Sequence, residues 1–202
     1  QPFFMGIIIS VVVGVVLTLP ISSAAICAAV GISGGAVLAG VLDGSISMGV
    51  WNGLALAGGA ATVGCCCNML GFAVISYPDN GVGGLVAQGL GTSMLQVPNL
   101  MRKPILWIPP VLTSAILGPV ATCIFQLRNN GAAISSGMGT AGLVGPIGII
   151  TGWSNMPEGY AVGAFDWLGM ILVCFVLPVL LSWAIGKFMR KKGWIKEGDL
   201  KV

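Results

Sequence analysis

Two stretches of this sequence combine glycine with uncharged hydrogen-bonding side chains inside an otherwise apolar chain. Residues 81–98 carry Gln88, Thr92, Ser93 and Gln96, and residues 128–150 carry Asn129, Asn130, Ser135, Ser136 and Thr140. Amides and hydroxyls donate and accept hydrogen bonds without carrying charge, which suits a neutral, polyhydroxylated solute. The same groups also satisfy neighbouring helices in apolar surroundings, so each residue has a structural use beside the binding one. Carriers of harder chemistry are few. The chain has no His, and no carboxylate lies between Arg128 and Pro157. No catalytic residue is therefore expected. Cys27, Cys65, Cys66, Cys67, Cys123 and Cys174 all sit in apolar runs, and three consecutive cysteines lack the spacing of a zinc site. They read as small buried apolar side chains. Neither a metal nor a cofactor is expected.

The composition dictates what must hold these residues. The chain of 202 residues has nine basic and six acidic side chains, and eight of these stand at or after Lys187. Only Asp43, Asp79, Arg102, Lys103, Arg128, Glu158 and Asp166 precede it, too few to keep a soluble surface in water. Hydrophobic residues make up 56% of the chain, mean hydropathy is +0.99, and 32 residues are glycine. Such a composition belongs in lipid, with small residues letting helices approach closely. It offers no basic surface for nucleic acid.

Five long apolar runs read as spans: 3–19, ended by Pro20; 21–42; 54–77; 104–127, kinked by Pro109-Pro110 and Pro119; and 163–186, with Pro178 inside. Pro78-Asp79-Asn80-Gly81 is a turn signal. The two Gly-rich stretches are too short and too polar to face lipid, so they are expected as re-entrant or broken segments buried in protein. The expected fold is an all-α integral membrane protein of about five transmembrane helices plus these two segments. Asp166, beside Trp167 at the start of the last run, is read either as a functional intramembrane charge or as an interfacial one.

The basic residues set an orientation. Lys187, Arg190, Lys191, Lys192, Lys196 and Lys201 place the end of the chain in the cytoplasm, and Arg102-Lys103 fall on the same side two spans earlier. Residues 1–186 are expected as the membrane-embedded domain and 187–202 as a basic cytoplasmic tail that meets anionic membrane lipid.

The Gly-rich stretches echo one another. Asn80-Gly81 leads to Gly89-Leu90-Gly91-Thr92-Ser93-Met94-Leu95, and Asn130-Gly131 leads to Gly137-Met138-Gly139-Thr140-Ala141-Gly142-Leu143, with a two-residue gap between the halves. Membrane transporters commonly build their sites from such paired, Gly-interrupted elements near the midplane. The two stretches are accordingly expected to line one polar cavity.

Several motifs are familiar: Gly89 to Asn99 (GLGTSMLQVPN), Trp107 to Pro119 (WIPPVLTSAILGP), Ser135 to Gly148 (SSGMGTAGLVGPIG), Leu19 to Ile26 (LPISSAAI) and Gly58 to Tyr77 (GGAATVGCCCNMLGFAVISY). Together they resemble a family of Gram-positive bacterial membrane proteins, the EIIC-type components of the phosphotransferase system, which includes a regulator of a secreted toxin. Family members are longer at the N-terminus, so the chain looks like the C-terminal part of the full domain. The resemblance implies a permease for a neutral sugar in the bacterial plasma membrane. It would act as a homodimer with cytoplasmic phosphotransferase subunits that hold the phosphoryl group. Better-understood sugar permeases carry a Glu in a re-entrant Gly-Ile-Thr-Glu motif and usually a His near the sugar. This chain departs from both, leaving Glu158 and Asp166 as its remaining candidates. The alternatives are a membrane regulator or sensor that kept the fold without phosphotransfer, and a channel or transporter for another solute.

Overall fold

The computed structural model describes residues 1–19 and 22–202, and among them there is no β-strand. Its centre is α4 (Met48–Ile75), a run of Ala, Gly, Val and Cys buried almost continuously from Ala55 to Met69. A helix apolar all round belongs inside a bundle. Around it stand α1 (Pro2–Thr18), α7 (Pro104–Ile124) and α9 (Ala164–Lys191). Shorter pieces lie between them: α2 (Ser23–Ala29), α3 (Leu38–Leu42), α5 (Tyr77–Val86), α6 (Val97–Arg102) and α8 (Val144–Trp153). Among the described residues three helices, α4, α7 and α9, are long and apolar enough to cross a membrane.

Glycine brings the backbones together. The Ser10 carbonyl of α1 sits where a side chain on Gly64 of α4 would be, and the Gly6 carbonyl sits where one on Gly118 of α7 would be. Buried polar groups lock this approach. The Ser10 hydroxyl donates to the Ser114 carbonyl at 2.8 Å, Asn68 Nδ2 donates to Gly64 O at 3.1 Å and to Ser114 Oγ at 3.3 Å, and Thr18 Oγ1 donates to Asn68 Oδ1 at 3.3 Å. In α9 a wide π-turn, Leu172–Val176, immediately precedes Pro178. Such a turn absorbs the missing proline N–H and the clash of its ring with the preceding turn.

Four of the five expected spans form helices, and one does not. The first is a helix of 17 residues, Pro2–Thr18. The run 21–42 is no single helix: α2 ends at Ala29, Gly31 has φ +64°, and a 3₁₀ turn, Gly34–Val37, precedes α3. The cause is a competing partner. Gly34 N donates to Asn129 O at 3.1 Å, Ser33 Oγ donates to Gly131 O at 2.8 Å, and the Gly131 carbonyl occupies the space of a side chain at Gly35. The helix opens to satisfy the neighbouring loop.

Each Gly-rich stretch forms a hairpin that starts and ends at the same end of α4. The first leaves the Ile75 end through α5, bends at Gly81 (φ +60°), passes a wide turn, Ala87–Gly91, and returns through α6 to Lys103. The second begins beside Ala55, whose carbonyl accepts from Asn129 N at 2.9 Å. It descends until Gly139 lies on the backbone of Cys65 and Cys66, and returns through α8 until Gly152 packs on the Asn130 backbone. The tips meet where Thr140 Oγ1 donates to Gly89 O at 2.6 Å.

The two basic clusters lie at one end of the bundle, joined by the Lys103–Asp199 ion pair. Helix α9 runs past Lys187 to Lys191. The segment beyond it, expected as a solvated tail, packs on the bundle: Ile195 and Leu200 are buried with Phe72, Ile75, Leu100, Leu106 and Met189. Burial works against the Asp199 carboxylate. Hydrogen bonds from Lys103 Nζ and the Lys196 amide outweigh it and hold the carboxyl below its usual range.

Gly64→Ala is expected to destabilise the fold by about 1–3 kcal/mol, because the added methyl meets the Ser10 carbonyl and the two helices must part. Gly53→Ala on the same helix meets nothing and should be neutral or stabilising by up to about 1 kcal/mol. Denaturant titrations of both variants in micelles check the pair.

Candidate functional site

The nine polar residues singled out in the sequence fall into three places. Asn129, Asn130, Ser135 and Ser136 cluster toward the Met48 end of α4. Asn129 Nδ2 donates to Thr62 Oγ1 at 3.0 Å and to Ser135 Oγ at 3.1 Å, and its Oδ1 accepts from Gly131 N at 3.1 Å. Asn130 Oδ1 accepts from the fully buried indole of Trp51 at 3.1 Å, and its Nδ2 donates to Asn155 O. Both amides are committed to holding the second hairpin open against α4.

Gln88 and Gln96 lie toward the Ile75 end instead. Gln88 Nε2 donates to Ser76 Oγ at 2.9 Å, and Gln96 Nε2 donates to Gln88 Oε1 at 2.9 Å and to Leu200 O at 3.0 Å. These side chains bond the first hairpin to α4 and to the segment after α9. The single cavity lined by all these residues is therefore replaced by two polar clusters, one per hairpin, because each buried amide finds its partners in its own hairpin and the elements packed on it.

Thr92, Ser93 and Thr140 stand at or beside the tips. Between the tips lies a recess of about 220 Å³. Gly91, Thr92 and Met94 come from the first hairpin, Met138 and Ala141 from the second, and Leu17, Ser22, Ser23 and Ala24 close it. Ser23 Oγ also donates to Gly137 O, tying α2 to the second hairpin. On either side of the recess in sequence, the hydroxyls of Ser93 and Ser136 are buried without a hydrogen-bond partner among the described residues. Neither residue lines the recess, and Ser136 Oγ lies against Gly58 of α4, within the cluster toward the Met48 end. A second, open cleft of about 460 Å³ lies toward the Met48 end, lined by Gly35, Leu38, Asn130, Gly131, Ala132, Ala133, Thr151 and Asn155. Among the described residues no charged side chain lines either space.

The remaining ionisable candidates lie elsewhere. Asp166 Oδ2 accepts from Gly163 N at 2.8 Å and caps the start of α9. Glu158 is exposed in the loop before it. Arg128 donates to Asn52 Oδ1 at 2.7 Å and lies 4.7 Å from the centre of the Tyr160 ring. Desolvation disfavours its charge. None of the three lines the recess.

Reading the sequence overlooked Ser22, Ser23, Met94 and Met138 as recess residues. The Ser22-Ser23 pair after Pro20 was the available signal, a polar interruption inside an apolar run. The two methionines lie inside the echoing Gly-rich runs, where their apolar side chains gave no sign of a binding role.

Long apolar helices around two facing hairpins with an uncharged recess at their tips make this a polytopic membrane protein. The entire chain, residues 1–202, matches the family described as phosphotransferase system, EIIC, and the protein belongs to that family. No curated protein and no solved structure matches it.

Asn129→Ala leaves Thr62, Ser135 and the Gly131 amide short of partners and should cost about 1–3 kcal/mol of stability. Ser136→Ala removes a hydroxyl that bonds nothing and should stay within about 0.5 kcal/mol of the parent. Comparing their unfolding midpoints in micelles checks the assignment.

Proposed function

We propose that the chain is the sugar-translocating membrane component of a phosphotransferase system, with the recess between the hairpin tips as the solute site. Family membership carries the reading. The recess supports it: both Gly-rich segments line it and its polar groups are uncharged. A neutral sugar offers hydroxyls that both donate and accept. Thr92, Ser93 and Thr140, at or beside the tips, are the side chains proposed to meet it. Asn129, Asn130 and Ser135 hold the wall of the second hairpin, and Gln88 and Gln96 hold the first. The cleft toward the Met48 end is the proposed access route from outside.

Cytoplasmic phosphotransferase subunits hold the phosphoryl group, and this chain carries the sugar to them. In this reading the domain (1–186) sits in the bacterial plasma membrane with segment 187–202 inside. The lysines and arginines gathered at the Ile75 end support that orientation. The homodimer implied by the family resemblance belongs to the same proposal, as does contact of the basic end with anionic lipid.

One observation favours a second reading. No carboxylate and no His lines the recess, so nothing there would accept a proton from a sugar hydroxyl during phosphorylation. A membrane sensor that binds a sugar without coupling to phosphotransfer fits that absence.

Reconstituted vesicles with radiolabelled hexoses, with and without the cytoplasmic phosphotransfer proteins, distinguish these readings. Uptake that requires those proteins and falls at least about tenfold in Ala141→Leu, which fills the recess, is the expected result. Ser93→Ala should weaken sugar binding about fivefold or more, one lost hydrogen bond, and Ser136→Ala, away from the tips, should leave it unchanged. Binding without uptake assigns the sensor role. Neither binding nor uptake for any neutral sugar overturns both.

A further inference from the structure

The segment after α9 is gripped through its backbone. Asn80 Nδ2 donates to Leu200 O at 2.7 Å, Gln96 Nε2 donates to the same carbonyl at 3.0 Å, and Asn99 Nδ2 donates to Lys201 O at 3.0 Å. In the other direction, Gly198 N donates to Asp79 Oδ1 at 3.0 Å and Val202 N donates to Asn80 Oδ1 at 2.8 Å. Asp79, Asn80, Gln96 and Asn99 all belong to the two arms of the first hairpin. Arg190 also pairs with Asp79, and Lys103 with Asp199. Leu200 is completely buried beneath these bonds.

This grip continues inward. Gln96 donates to Gln88 as well as to Leu200, Gln88 donates to Ser76, and the neighbour of Gln88, Gly89, supplies the carbonyl that receives Thr140. A chain of side-chain amides thus runs from the 198–202 backbone to the contact between the hairpin tips. Amide chains of this kind are polarised along their length and are costly to leave half-satisfied.

We propose that segment 194–202 is an internal clamp on the first hairpin: while docked it fixes Gln96 and Gln88 and so holds the tip at Gly89 against Thr140, and when released it frees the arm 87–96. Gln88 and Gln96 are then positioning residues for the recess. The side of the molecule carrying the basic clusters controls the shape of the recess through them. The consequence for solute passage rests on the function proposed above. The clamp itself does not, and it is tested without a solute.

The segment can be released after folding is complete. A protease site inserted at the turn containing Gly193, where a φ of +74° ends α9 and nothing packs closely, is cut in the purified full chain in nanodiscs. Hydrogen exchange is then read by mass spectrometry. Loss of the fragment is expected to speed exchange at least tenfold across 87–96, to leave 144–153 unchanged, and to be reversed by an excess of synthetic peptide 194–202. A fragment that leaves without altering exchange at 87–96 overturns the clamp. If the cut fragment stays bound, Asn80→Ala with Asn99→Ala weakens its grip, and the same criterion applies. Sugar uptake measured in parallel separates the two ideas: faster exchange with no uptake in cut and uncut protein counts against the transport reading alone.

Discussion

Gly59 and Gly64 of α4 have no side chains, and the backbones of Leu127 and Ser10 fill the space. Without that approach neither α1 nor the start of the second hairpin could reach the centre of the bundle. Close approach also makes the buried polar network possible. Asn68 spans α1, α4 and α7 with one amide, and Asn129 reaches Thr62 because the loop lies directly on the helix. In lipid, where water cannot complete hydrogen bonds, a broken backbone survives only under such contact. The small residues of α4 are therefore the condition for both the packing and the hairpins.

The hairpins follow from that condition. Each carries irregular backbone toward mid-bundle, and each is held by uncharged amides on its own side. Charge is kept to the ends: Asp79, Arg190, Lys103 and Asp199 at one, Arg128 and Asp166 at the other. What remains at the tips is a small space edged by serine and threonine hydroxyls and methionine. Such a lining accepts a neutral guest and penalises a charged one, since no counter-charge stands near. This separation supports the proposal that a neutral solute passes at the tips and that any phosphoryl transfer takes place on other subunits.

Much of this was legible in the residues. The long apolar runs gave α4, α7 and α9, and the Gly-rich echo marked the two segments whose tips meet. The matching Gly89–Thr92 and Gly137–Thr140 runs are where that meeting occurs. Local hydropathy failed where a distant partner decided the outcome. Residues 21–42 are apolar enough for a helix, but Gly34 and Ser33 bond the second hairpin instead. Ile195 and Leu200 sit in a charged stretch and are buried by a surface formed from α4, α6 and α9. Gln88, Gln96 and Asn130 were correctly read as buried, but an amide's sequence context does not say whether a ligand or a backbone carbonyl satisfies it.

In the proposed membrane arrangement the two hairpins enter from opposite faces and meet inside. Single cysteines at Glu158, in the loop after the second hairpin, and at Lys196, in the segment docked on the first, report on it directly in a Cys123→Ser background. An impermeant maleimide is added to intact cells and again after the membrane is opened. The Glu158→Cys protein is expected to react at once and the Lys196→Cys protein only after opening. Labelling of both from the same side of an intact membrane would contradict it.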